Sequence, residues 1–157
     1  MINHILRRVS KFTALILLFL VILIVFDVSN RYIFSNGSIA LQELEWHLFD
    51  IVMLFSLFYT LKLDGHVRVD VIYTNISSEW KRFIDIFSHL FFIIPFSALI
   101  IYFSLSFVEL SFTQNEVSPN PNGLENRFLI KSVIIIGFSL LIIQSILEVI
   151  KLFGSKK

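Results

Sequence analysis

Apolar residues come in four long runs parted by short polar segments. The runs cover about residues 12–32, 44–63, 83–107 and 129–153. At about 1.5 Å per residue, helices of that size suit a hydrocarbon core about 30 Å thick. The strictly apolar part of the first run, residues 12–26, rises only about 22 Å. Its helix is therefore expected to continue through Asp27 to about Tyr32. Asp27 and Arg31 then stand four apart and can pair on one face. Arg7, Arg8 and Lys11 precede this run, as in a signal peptide, but no small-x-small cleavage site follows it. It reads as an uncleaved span.

Polar punctuation fits the same division. Asn36-Gly37-Ser38 is a turn. Asp64-Gly65 stops the second span, with Gly65 where a left-handed residue closes a helix. Residues 66–71 alternate polar and apolar, which predicts an extended piece at headgroup level with its valines toward lipid. Ser77 or Ser78 is placed to cap the third helix, with Glu79 in its first turn. Pro95, near the middle of that helix, removes one backbone hydrogen bond and predicts a kink. The loop at 109–127 holds the turn formers Ser118-Pro119-Asn120-Pro121-Asn122-Gly123. Gly154 ends the fourth span. The fold class expected is an all-α integral membrane protein, a single membrane domain over residues 1–157.

Composition agrees. The chain is 56% hydrophobic, with 18 Phe, and only 16% charged, where a soluble domain carries about a quarter. No polar stretch is long enough to bury a core of its own. The sequence has no Cys, which excludes disulfides, thiol nucleophiles, iron–sulfur clusters and Cys-zinc sites. The net charge of +1 says nothing about nucleic acid, because the charges follow the membrane rather than a groove; no nucleic-acid partner is expected. Of the 13 Lys and Arg, ten lie on the side of the termini and of the loop between the second and third spans. Only Arg31, Arg127 and Lys131 lie opposite. The bias puts both termini in the cytoplasm, N-in and C-in. Trp46 and Trp80 then fall at opposite interfaces.

The candidate chemistry clusters at helix ends. Glu43, His47 and Asp50 are spaced i, i+4, i+7 and share one face of the second helix near its outer end. Carboxylate and imidazole could ligate a metal, but no other span offers matching ligands. The other readings are a polar face toward a neighbouring helix or headgroups, and a contact with a partner, since charges inside a membrane usually pair. Arg31, at the outer end of the first span, is placed to neutralise this cluster, with Arg31 and Glu43 pairing within the bundle or across to a partner. His47 and His89 differ in depth by about 18 Å, so they cannot share a haem iron. His4 and His66 lie outside the core. Asp85 and His89, four apart, suggest a salt-bridged pair. No acid lies within about residues 52–60, 90–102 or 133–143. A self-sufficient ion-coupled carrier usually has polar groups or broken helices there, so the chain is not expected to bind substrate itself. His66, Arg68 and Asp70 share one side of the extended piece, either as a solvated turn or as a docking element.

Asn30-Arg31-Tyr32, Gln42-Glu43-Leu44-Glu45-Trp46, Gly65-His66-Val67-Arg68-Val69-Asp70 and the Pro-x-Pro-x-Gly loop together resemble the small, DctQ-type membrane subunit of TRAP (tripartite ATP-independent periplasmic) transporters. The resemblance spans residues 28–150 and is most specific at Gly65–Asp70. It implies a non-catalytic, cofactor-free, four-span subunit of the bacterial inner membrane. Its partners would be a large membrane subunit that carries substrate and sodium, a periplasmic solute-binding protein that delivers a small solute, often an organic acid, and membrane lipids. It also implies that Arg31, Glu43, Glu45, Trp46, His47, Asp50, His66, Arg68 and Asp70 are subunit, lipid or binding-protein contacts. The rival readings are an independent homo-oligomeric channel or carrier, which needs a polar stripe through the membrane, and a redox-complex anchor, which the histidine depths disfavour. The topology predicts that a reporter fused at Asn120 lies outside the cytoplasm; a cytoplasmic reading there would overturn it.

Overall fold

The computed structural model describes residues 2–62 and 76–154, with side chains from residue 6 onward. Four helices account for most of these residues: α1 (Ile2–Ile33), α2 (Ile39–Lys62), α3 (Ser78–Thr113) and α4 (Phe128–Gly154). All four are long and apolar enough to cross a membrane, and no strand occurs among the described residues. The all-helical, four-span fold read from the sequence is the one observed. The Asp64-Gly65 stop and the alternating valines lie outside the described residues.

The helix starts follow local capping chemistry. Ser38 Oγ accepts the Leu41 N–H at 3.4 Å, and Ser77 Oγ accepts the Trp80 N–H at 3.5 Å with Glu79 in the first turn. Each satisfies one of the free donors at a helix N-terminus. Starting α2 at Ile39 places Asp50 about 16 Å along a helix about 36 Å long. Asp50 therefore stands near the middle of α2, deeper than its place in the second apolar run suggested.

The disturbance expected at Pro95 takes a definite form. Residues His89–Ile93 make a π turn, in which the Ile94 N–H bonds the His89 carbonyl five residues back. Proline lacks an N–H and its ring crowds the carbonyl four residues earlier. Widening the turn just before it relieves both conflicts within one otherwise continuous helix.

The helices pack as a row in the order α1, α2, α4, α3, with each substantial interface formed between neighbours in that row. Small residues make the close approaches. Gly137 of α4 faces Leu54 of α2, and a Cβ added at Gly137 would lie 2.9 Å from the Leu54 Cβ. On α3, Ser97, Ser104 and Ser111 recur every seven residues and are buried against α4, the helix α3 packs on. Phe96 meets Phe138 edge-on at 6.3 Å between ring centroids, and Phe112 meets Phe128 at 5.1 Å. His89, buried at the opposite end of this seam, is 2.7 Å from the Ser145 hydroxyl through Nδ1. Large apolar side chains mostly face outward instead: Leu18, Phe91 and Leu129 keep 59%, 64% and 61% of their surface free. A bilayer supplies no hydrophobic drive between helices, so close packing and hydrogen bonds hold the row together.

Gly137→Val should force α2 and α4 apart. Overpacking of this kind costs about 1–3 kcal/mol, to be read as an earlier thermal transition of the detergent-solubilised protein. An unchanged transition would show that the seam yields.

Candidate functional site

The loop at 114–127 turns back over the end of the row where α2 begins, and a carboxylate of α2 bonds it there. Glu43, one turn into α2, accepts the Ser118 hydroxyl and, at 3.0 Å, the Asn120 amide on Oε1. Its Oε2 accepts the Leu124 N–H at 2.7 Å. The loop is shaped to deliver these donors. Asn115, Asn122 and Asn126 adopt positive φ values of 46°, 60° and 58°, which asparagine tolerates better than most residues. The Gly123 N–H bonds the Asn120 carbonyl, and the Ser118 N–H bonds the Leu124 carbonyl. Gly123 serves close approach rather than backbone freedom: a Cβ there would lie 2.8 Å from Glu43 Oε2.

A second anchor stands beside the first. Lys131, one turn into α4, forms an ion pair with Glu116 of the loop, and its Nζ lies 4.0 Å from the centre of the Phe107 ring. The cation is thus held by a carboxylate and an aromatic face together. The Lys131 hydrogen bond is the chief cause that keeps the Glu116 carboxyl below the usual carboxylate range.

Together these groups roof a cavity of about 840 Å³. Gln42, Glu43, Trp46, His47, Asp50 and Met53 of α2 form one wall, and Arg127, Ile130, Lys131 and Ile134 at the head of α4 form the other. Phe107, Glu116 and Asn120 close the end. The rim is polar and the lower walls, Met53, Leu54 and Ile134, are apolar. The face shared by Glu43, His47 and Asp50, expected from their spacing, is this wall. Trp46 stands on the same face, 71% exposed. Arg127 lies within electrostatic reach of Glu43, His47 and Glu116.

Glu45 turns the other way, to the seam with α1, where the charges of Asp27 and Arg31 act on it. Asp27, 1% exposed, forms the expected ion pair with Arg31. Within this chain Arg31 and Glu43 do not pair. Arg31 is held by Asp27 on its own helix, and both Glu43 oxygens are taken by the loop. His66, Arg68 and Asp70 lie outside the described residues. Ser118, Asn120, Leu124, Glu116 and Arg127 belong to the site although sequence reasoning did not select them. The run of turn formers around Ser118 marked a structured loop but not what it folds onto.

Removing the Glu43 carboxylate should free the loop. Glu43→Ala is expected to speed proteolytic cleavage within residues 116–124 several-fold in detergent while helix content stays constant. Cleavage at the unaltered rate would show that other contacts hold the loop.

The family model for the DctQ component of tripartite ATP-independent periplasmic transporters matches residues 20–154. No curated protein matches the chain in a sequence comparison. With four membrane-crossing helices and a match over most of its length, the chain belongs to the DctQ family of TRAP transporter membrane components.

Proposed function

We propose that this chain is the non-catalytic small subunit of a sodium-coupled TRAP transporter in the bacterial inner membrane. It acts as a scaffold: a large membrane subunit carries the solute, and a periplasmic binding protein delivers it. The solute class proposed is a small organic acid. In this reading the termini are cytoplasmic and the loop anchored by Glu43 faces the periplasm, as the Lys and Arg distribution favours.

The observation that carries the reading is the open row. A carrier acting alone has to enclose a polar path between its helices. Here the helices stand side by side and most large apolar side chains point outward, which suits a wall built against something larger. The interior of the α3–α4 seam holds small hydroxyl residues and Gln144 rather than charge: Ser97, Ser104 and Ser111 on α3, and Ser145 on α4. The nearest acid on α4, Glu148, is bonded by Gln144 at 2.9 Å and by Lys151 at 3.2 Å.

The test is isolation of the tagged chain from its native membrane in mild detergent, with companions identified by mass spectrometry. A stoichiometric many-span partner is expected. Liposomes holding only this chain should take up no solute. Recovery of the chain alone as a defined oligomer, with uptake, would replace this reading with an independent channel or carrier.

A further inference from the structure

Asp50 is the one carboxylate lining the cavity that no described side chain holds: Glu43 is bonded by the loop and Glu116 by Lys131. Arg127 stands at the rim among Glu43, His47 and Glu116. The Asp50 carboxylate makes no hydrogen bond or ion pair with any described residue, and His47, three residues earlier on the same helix, is the titratable group it acts on. It is exposed in the cavity, about 16 Å along α2 from Ile39. At that depth, one turn below Trp46, the surroundings outside the protein are acyl chains, which donate no hydrogen bond. A carboxylate so placed calls for a cation or strong donor from another chain.

We propose that the cavity between α2 and α4 seats a membrane-spanning helix of the large subunit, and that a Lys or Arg on that helix pairs with Asp50. The proposal rests on the scaffold reading above. The occupant is a helix because backbone groups at this depth must be bonded within their own segment. Its apolar side chains pack against Met53, Leu54 and Ile134, below the polar rim. Its basic residue is argued from charge: the cavity's own cations stand at the rim, Lys131 on Glu116 and Arg127 near Glu43, His47 and Glu116, while Asp50 lies below them without a partner. A phospholipid fits less well, since its headgroup stays at the level of Trp46 and only its chains reach Asp50.

The test uses the complex recovered through the tagged chain. A benzoylphenylalanine at Met53 should form a photo-adduct with the large subunit. Asp50→Asn should lower the yield of complex at least about ten-fold, as removal of one member of a desolvated charge pair does, while Asp50→Glu keeps most of it. The thermal transition of the isolated Asp50→Asn chain, expected unchanged, separates lost docking from lost folding. Adducts at Met53 only with lipid or with a second copy of this chain would overturn the proposal. So would wild-type complex yield for Asp50→Asn. In either case the scaffold reading would survive, because the large subunit would still be recovered. Absence of any many-span partner from the wild-type preparation would remove both.

Discussion

A carboxylate at the head of a membrane helix must be hydrated or met by donors from the protein, and Glu43 is met by donors. Its oxygens gather a hydroxyl, a side-chain amide and a backbone N–H from residues 75 to 81 positions later in the chain. That single demand folds the loop at 114–127 over the end of the row. The packed α2–α4 seam then holds Arg127 and Lys131 across the cavity from His47 and Asp50. The loop's turns, its left-handed asparagines and the closeness of Gly123 to Glu43 all serve the same contact. Without Glu43 the rim would keep the Lys131–Glu116 anchor but lose the contact that ties the loop to α2.

The seams between helices obey a different constraint. Lipid is as apolar as leucine, so helices gain little by burying leucines against one another. They gain by approaching closely, and close approach requires small residues. Gly137 admits Leu54, and the serines at 97, 104 and 111 let α3 lie against α4. Ser97 is fully buried with no hydrogen-bond partner for its hydroxyl among the described residues. Its contribution to the seam is therefore its size.

How much of this was legible in the sequence depended on distance along the chain. Regularities within one helix could be read directly. The apolar runs gave four spans, the spacing of Asp27 and Arg31 gave their ion pair, and the spacing of Glu43, His47 and Asp50 gave one shared face. Pro95 announced a disturbance, though not that a π turn would absorb it. The seven-residue recurrence of serines in α3 was not singled out, because serine spacing alone does not say which helix it meets. Contacts between distant segments were hidden. Arg31 and Glu43 are neighbours in sequence across a short turn, which made their pairing plausible. Helical rotation instead turned Glu43 toward the loop and left Glu45 to face Arg31. Nothing local in the stretch from Ser118 to Gly123 names Glu43 as its anchor.

The order of helices in the row has a consequence for how the protein is made. α1 and α2 are adjacent both in the chain and in space, so they can close as a hairpin as soon as both have left the ribosome. α3 comes next but finds no substantial partner among the helices already inserted, because its place is beside α4. Ser97 and Ser104 therefore reach their buried positions only when α4 lies between α3 and α2. The fourth span is thus the one that joins the two halves.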